Sequence, residues 1–232
     1  MSINSSIIGK VSKNMKVKII FDNEAKNNLK SGWGFACLVN EHLLFDTGAD
    51  LKTLEYNLTQ LNVDLNKIDT VFFSHEHGDH TWGYGIIKKL KREKINVITP
   101  KSFSTRFKKI LKSFPNVNLV EVSEPVELRP GYYSTGEMGA FTPEQSLIVE
   151  TTKGNVIVTG CSHPGLENII ERAKRFGKIY GVIGGFHDFS KLEILQELKL
   201  ICPCHCTRAK DPIKNLYPET TIECRVGCDI EI

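Results

Sequence analysis

Three histidines and an aspartate are concentrated in the stretch Ser74-His75-Glu76-His77-Gly78-Asp79-His80, which directly follows the apolar run Thr70–Phe73. Imidazole and carboxylate groups at this density suit zinc, and also iron or manganese. An apolar run of this length before a polar turn is typical of a buried strand. The stretch therefore predicts a site for one or two divalent metal ions, with Zn²⁺ as the first choice, at the end of a strand.

The turn within this stretch indicates how its side chains divide between two metal positions. Side chains alternate along a strand, so His75 and His77 should lie on one side. Gly78 permits a tight turn, after which Asp79 and His80 should face a second direction. We therefore assign His75 and His77 to a first metal, and Asp79 and His80 to a second.

Four more short motifs lie before and after the stretch at 74–80. These motifs are Leu43–Gly48, Val156–Gly165, Gly184–His187 and Pro203–Thr207. Together with the stretch at 74–80, they resemble the metallo-β-lactamase superfamily of hydrolases. Within it, the later motifs are similar to the dihydropterin-ribofuranosylaminobenzene-phosphate synthase-like subgroup. The resemblance extends from about Asp46 to Thr207.

The order of predicted elements agrees with the fold that this resemblance implies. Strands followed by helices occur in both halves of the chain, which favours two packed sheets with helices outside. One such helix is amphipathic over Leu51–Leu61 with Asp50 as its N-cap, and another is expected over Gly85–Glu93. The resemblance implies an α/β (α+β) four-layer αβ/βα sandwich. We predict one domain over residues 1–232, with 1–14 as an irregular arm.

The second half of the chain departs from the pattern of the superfamily. The segment 131–152 lacks the histidine expected upstream of the fourth motif, and Cys161 stands where an aspartate is expected. His163 is therefore predicted to fill the first metal site. Cys161 is either a thiolate ligand or a small buried residue. The resemblance further implies that Asp46 braces the metal loop by hydrogen bonds rather than binding metal.

Two more histidines lie at motif positions near predicted strand ends. His205 matches the last histidine of the superfamily and is predicted to be a ligand of the second metal. His187 follows two glycines and is predicted to line the site as a substrate contact or general acid; the alternative is an ordinary loop histidine. Asp79 is the second predicted catalytic residue, because a carboxylate at the second metal can orient hydroxide.

The first functional hypothesis is a metal-dependent hydrolase that uses metal-activated water on a phosphate ester or another small-molecule substrate. The subgroup resemblance implies an alternative transferase, which joins a dihydropterin-methyl diphosphate to a ribofuranosylaminobenzene phosphate. A second alternative is a non-catalytic metal-binding or redox-sensing module, suggested by the missing histidine and the cysteine-rich C-terminal region.

The composition of the sequence indicates which binding partners and which cellular compartment are expected. A chain of 232 residues with 41% hydrophobic residues can bury a sizeable core, and a net charge of +3 does not indicate a polyanion partner. The basic residues between Lys88 and Lys112 are best explained as solvated helix faces, so nucleic acid is not expected. No signal peptide or membrane span is predicted, which favours a soluble cytoplasmic protein. The seven cysteines are then expected to be ligands or buried thiols rather than disulfides. The clustering of Cys202, Cys204, Cys206, Cys224 and Cys228 leaves disulfides there as an alternative. The oligomeric state stays open.

Overall fold

Thirteen strands form two mixed sheets in the computed structural model, which describes residues 14–232; residues 1–13 of the predicted arm lie outside that range. The first sheet contains, in spatial order, β13 (Asp229–Glu231), β1 (Lys16–Phe21), β2 (Ala36–Val39), β3 (Leu43–Phe45), β4 (Thr70–Phe72), β5 (Ile95–Pro100) and β6 (Val117–Val122). The second contains β12 (Leu200–Cys204), β11 (Ile179–Gly185), β10 (Gly154–Thr159), β9 (Leu147–Thr151), β8 (Tyr132–Ser134) and β7 (Val126–Arg129).

Helices and 3₁₀ helices connect these strands. The α-helices are α1 (Leu51–Gln60), α2 (Gly78–Thr81), α3 (Thr105–Lys112), α4 (Leu166–Ala173) and α5 (Lys210–Leu216). The 3₁₀ helices span Tyr84–Lys89, Lys174–Phe176 and Leu192–Glu197. Within residues 14–232, none of these helices has both the length and the apolar composition that crossing a bilayer requires.

The buried apolar side chains form three layers: one between the two sheets, and one between each sheet and the helices on its outer face. The central layer joins the facing sides of the two sheets, with Phe45 and Phe72 from the first and Val158 from the second. The outer face of the first sheet packs on α1 and α3, and that of the second sheet packs on α4. The predicted four-layer αβ/βα sandwich is therefore confirmed.

Local sequence explains one helix that was predicted correctly and one that was not. Asp50 caps α1, because its carboxylate accepts the backbone N–H of Thr53 at 2.8 Å. The predicted helix over 85–93 is instead the 3₁₀ helix Tyr84–Lys89. Gly83 and Gly85 flank its start and disfavour an α-helix. A side chain at Gly83 would lie 2.1 Å from the carbonyl oxygen of Thr47, so close packing requires glycine there.

Parallel pairing brings the carboxyl ends of several strands to one edge of the molecule. Strand β4 pairs in parallel with β3 and β5, and β11 pairs in parallel with β10 and β12. Gln145, which precedes β9, joins the two sheets at this edge: its backbone N–H donates to the carbonyl of Ser74, and its side-chain amide donates to the carbonyl of Phe73. The loops that leave these strand ends are therefore held together.

Candidate metal centre

Loops from both sheets deliver two groups of ligand atoms to this edge. One ligand atom from each of His75, Cys161 and His163 lies within 4.8 Å of the other two. The same holds for His80, Cys161 and His205. Cys161 belongs to both groups, so its sulfur lies between them. These five residues, from opposite sheets, form what we call the candidate metal centre.

The remaining two predicted ligands of the metal loop border these groups. The His77 ring centre lies 4.6 Å from that of His75 and 4.9 Å from that of His163, which places His77 beside the first group. The Asp79 carboxylate lies 3.2 Å from Nε2 of His205, in the second group. The structure thus brings together all seven predicted ligands, in the division that the sequence suggests; their binding of metal stays a prediction.

Hydrogen bonds fix the rings of the two buried histidines in the metal loop. Nδ1 of His80 lies 2.7 Å from the carboxylate of Asp46, and Nδ1 of His75 lies 2.9 Å from the hydroxyl of Ser74. Asp46 also accepts both the backbone N–H and the hydroxyl of Ser74, each at 2.7 Å. Asp46 thus makes the bracing contacts predicted for it, and Nε2 of His80 is directed at Cys161 in the centre.

The histidines from the second sheet are fixed in the same way, by residues that the sequence did not reveal. Nδ1 of His163 lies 2.8 Å from the carboxylate of Glu144, and Nδ1 of His205 lies 2.9 Å from the side-chain oxygen of Asn23. Holding Nδ1 leaves Nε2 for a metal, and such partners orient the ring and increase its basicity as a ligand.

Glu144 is fully enclosed and organises the whole loop after β10. Its carboxylate accepts backbone N–H groups from each residue of the segment 160–163, at 3.0–3.1 Å, besides the His163 ring. Burial alone would raise the pKa of this carboxyl, but the hydrogen bonds from the ring and the backbone of His163 bring it well below its ordinary value. Glu144 is therefore an anion that holds His163 and Cys161 in position.

Burial keeps the imidazoles of His75 and His80 neutral. Burial, and to a lesser degree the neighbouring His205, lowers the pKa of His80 to about 3. Burial and the neighbouring His80 bring the pKa of His75 well below its ordinary value. The hydrogen bond from His205 lowers the pKa of Asp79 despite partial burial. Neutral imidazole and ionised carboxylate are the forms that bind metal.

Cys161 differs from the other donors because it holds its proton. A hydrogen bond with the Cys206 thiol, together with burial, raises the pKa of Cys161 far above its ordinary value. Its sulfur lies 3.1 Å from Nε2 of His80. A cation bound between these atoms would displace the proton, because a thiolate is the form that binds metal. The residue is buried, which is compatible with both alternatives, a thiolate ligand and a small buried residue.

Four non-glycine residues at these strand ends have left-handed backbone conformations. They are Asp46, Ser162, His187 and His205, with φ of 53°, 60°, 45° and 47°. Side chains disfavour this region by about 1–2 kcal/mol per residue. Such strain persists only where surrounding contacts determine it, and it concentrates at functional sites.

Two side chains form the rim of the centre. His187 is 42% exposed, its Nδ1 lies 2.8 Å from the Asp188 carboxylate, and its ring centre is 5.4 Å from that of His163. Trp33 is 63% exposed and its ring lies 4.8 Å from that of His205. His187 thus borders the centre as predicted, with Nε2 available to a ligand. Trp33 offers an aromatic surface on the opposite side.

The donor set fits a divalent metal ion. Nε2 of His75 is buried and has no hydrogen-bond partner among residues 14–232, a costly arrangement unless another group pairs with it. Imidazole nitrogens with a carboxylate or a thiol are the ligands typical of zinc. The carboxylate of Glu76, in the same loop, turns away and bonds to Ser104 at the start of α3, so it does not compete for the ion.

Residues 41–149 match the family model described as a beta-lactamase superfamily domain. The structure is similar to the crystal structure of Tm1679, a metal-dependent hydrolase of the beta-lactamase superfamily. The TM-score is 0.75 and the identity 24%, over 94% of this chain and 99% of that one. The chain has the metallo-β-lactamase fold. YhfI from Bacillus subtilis, a metallo-beta-lactamase fold protein, is similar with a TM-score of 0.72 and 14% identity, over 95% of this chain and all of that one.

A curated relative supports the narrower resemblance within the metallo-β-lactamase superfamily. The 7,8-dihydropterin-6-methyl-4-(beta-D-ribofuranosyl)-aminobenzene-5'-phosphate synthase of Methanocaldococcus jannaschii is 29% identical to this chain. The alignment covers 78% of this chain and 80% of that protein. The predicted resemblance, to the metallo-β-lactamase superfamily and to this synthase, is therefore confirmed.

Proposed function

We propose that this protein is a metal-dependent enzyme, and that its first candidate activity is hydrolysis of a phosphate ester or another small-molecule substrate. One observation carries the proposal: four histidines from two sheets meet at one centre, and each has Nδ1 held by a neighbour, which leaves Nε2 for a metal ion. Fixing each ring in this way is the arrangement of metal ligands in enzymes. Two groups of donors that share Cys161 suit one or two divalent ions, of which Zn²⁺ is our first choice.

The residues around the centre support acid–base chemistry. Divalent ions bound here would supply a water of lowered pKa and would polarise a phosphoryl or carbonyl oxygen. Asp79, whose pKa is lowered, is ionised at neutral pH and can accept a hydrogen bond from a nucleophile. His187 at the rim has Nδ1 held by Asp188, so its Nε2 can donate a proton to a leaving group.

The second candidate is the transferase activity, and the curated relative favours it specifically. That protein is named as a synthase, and the match covers most of both chains. In the corresponding reaction an arylamine, rather than water, would displace the diphosphate of a dihydropterin-methyl diphosphate. Trp33 at the rim offers a surface on which an aromatic ring can stack.

One experiment distinguishes the two candidate activities, because they predict different products. Metal-loaded protein is incubated with generic phosphodiesters, and separately with the pterin diphosphate in the presence and absence of the arylamine. Phosphodiester turnover without a coupled product would support the hydrolase. A coupled product that forms only with the arylamine would support the synthase.

Variants in the metal loop make this experiment decisive. We expect Asp79→Asn to abolish either activity, and Glu76→Gln, in the same loop but turned away, to retain it. Bound metal in the wild type without turnover of any of these substrates would oppose both candidates and support the non-catalytic metal-binding module.

A further inference from the structure

Three cysteines converge at a point outside the candidate metal centre. Cys202 and Cys204 occupy alternate positions of β12, so their side chains project from the same face of the sheet. Cys224 lies in the segment that docks on β12 through the bond from the Ile222 N–H to the Ile201 carbonyl at 2.8 Å. The sulfur atoms of Cys202 and Cys204 are 3.7 Å apart, and all three sulfurs lie within 4.8 Å of one another. We call this group the thiol cluster.

The thiol cluster is buried, and its composition differs from that of the candidate metal centre. All three side chains are at most 5% exposed, they are free thiols, and they border the apolar layer between the sheets. A single buried cysteine behaves as a small hydrophobic residue. Three thiols that meet at one point need a different explanation, because packing alone does not require sulfur on all sides. Within residues 14–232, this group of close donor atoms contains sulfur alone.

One member of the thiol cluster borders the protein surface. Cys224 lines a surface cleft of about 170 Å³ beside α5, together with Pro203, Lys210 and Glu223. Hydrogen bonds from the other two thiols, and to a lesser degree the charge of Lys210, lower the pKa of Cys202, whereas burial raises the pKa of Cys204 and of Cys224. The same positive charge can offset part of the negative charge that three thiolates would place near the core.

We propose that Cys202, Cys204 and Cys224 form a second metal site that binds Cu(I) through three thiolates. Soft thiolate ligands select copper in its monovalent state, and three sulfur donors without an oxygen or nitrogen partner suit a trigonal ion. Each thiol releases its proton on binding, and copper stays Cu(I) throughout, so no oxidant or reductant is consumed. This site is independent of the proposed function, since it shares no residue with the candidate metal centre.

The experiment is an anaerobic titration with Cu(I) against a chromophoric Cu(I) chelator. The protein carries Cys161→Ser, which removes the thiol of the candidate metal centre. We expect one tightly bound equivalent of Cu(I). Cys224→Ser should weaken binding by more than the roughly 10–100-fold that loss of a ligand's outer partner causes. The matched control is Cys228→Ser, because the Cys228 thiol bonds to the Glu223 carbonyl nearby without joining the cluster; it should bind as tightly as the parent. Equal affinity in Cys224→Ser would overturn the proposal.

X-ray absorption of the Cu(I)-loaded Cys161→Ser protein keeps the test decisive even if Cys224→Ser fails to fold. Three sulfur neighbours around copper are the expected result. Nitrogen neighbours would assign the ion to the histidines of the candidate metal centre and would refute the second site. The same refutation would follow if Zn²⁺ displaced Cu(I) at equal concentration.

Discussion

At the scale of single residues, the candidate metal centre depends on the partners of its ligands as much as on the ligands. Ser74, Asp46, Glu144 and Asn23 each hold one ring nitrogen, and each comes from a different part of the chain. Glu144 has the largest role, because it also accepts four backbone N–H groups. Its contribution can be measured apart from that of the ligands.

Glu144→Gln tests this role. An amide would direct its N–H₂ group at donors that now bond to the second carboxylate oxygen, so part of the network would be left unpaired. We expect the free energy of unfolding to fall by about 1–3 kcal/mol, the usual cost of leaving a buried hydrogen-bonding group unpaired. Metal affinity should fall by roughly 10–100-fold. Chemical denaturation and metal titration measure the two effects. Glu150→Gln, on neighbouring β9, is the control and should change neither.

The neutral state of His75 predicts a pH dependence of stability in the metal-free protein. Burial holds the pKa of His75 well below its ordinary value in the folded state, whereas the unfolded residue titrates at about 6.5. Below that pH the unfolded chain binds a proton that the folded chain does not, so this residue destabilises the fold as pH falls.

Comparing the free energy of unfolding of the wild type with that of a His75 variant isolates this effect. The free energy of unfolding of the wild type, minus that of His75→Gln, should decrease below about pH 6 by up to about 1.4 kcal/mol per pH unit. Urea denaturation between pH 7.5 and 5 measures it. A difference that stays constant over this range would show that His75 has the same pKa in the folded and unfolded states.

Local patterns made most of the candidate metal centre predictable, because its ligands lie in short motifs directly after apolar strands. His75, His80 and His205 could be found in this way. Glu144 and Asn23 could not, since each acts through contacts with residues distant in sequence. Glu144 reaches the segment 160–163 only because β9 and β10 pair as a hairpin. No pattern around position 144 encodes that pairing.

At the scale of elements, the candidate metal centre depends on how closely the end of β10 approaches the loop after β4. Gly160 follows β10, and a side chain there would lie 2.2 Å from the Ser74 hydroxyl and 3.0 Å from Nδ1 of His75. Glycine at this position therefore allows the two sheets to approach each other beside the ligands. Strands were predictable from their apolar runs, but this distance between sheets was not, because it depends on packing across the molecule.

Gly160→Ala should therefore separate the two strand ends. We expect a loss of stability of about 1–3 kcal/mol from overpacking. Metal affinity should fall with it, because His75 and His163 would move apart. Gly85→Ala is the matched control: its new methyl group would crowd the flexible side chain of Leu51, 2.8 Å away, outside the centre. It should reduce stability without changing metal affinity per folded molecule. Equal metal affinity in both variants would contradict the expectation.

At the scale of the whole molecule, a metal ion here would connect the two sheets. His75 and His80 come from the loop after β4, whereas His163 and His205 follow β10 and β12 of the other sheet. A ligand that binds only the folded state stabilises it by mass action. The candidate metal centre is therefore expected to contribute to stability as well as to chemistry.

Metal removal tests this contribution. With free ion at a thousandfold excess over its dissociation constant, the bound ion should add about 4 kcal/mol to the free energy of unfolding. A chelator should then lower the melting temperature of the wild type markedly. His77→Ala should show a smaller shift, because one ligand is missing. Identical melting curves with and without chelator would mean that no ion bridges the sheets. Thermal denaturation followed by circular dichroism makes the comparison.

The left-handed backbone at four strand ends limits how this protein can be made more robust. Glycine would relax each position, yet at Asp46 and His205 it would delete a side chain on which the candidate metal centre depends. Substitutions that relax the backbone at these positions would therefore increase thermal stability but reduce activity. Variants selected at high temperature should accumulate their changes on the outer helical layers and leave this rim untouched.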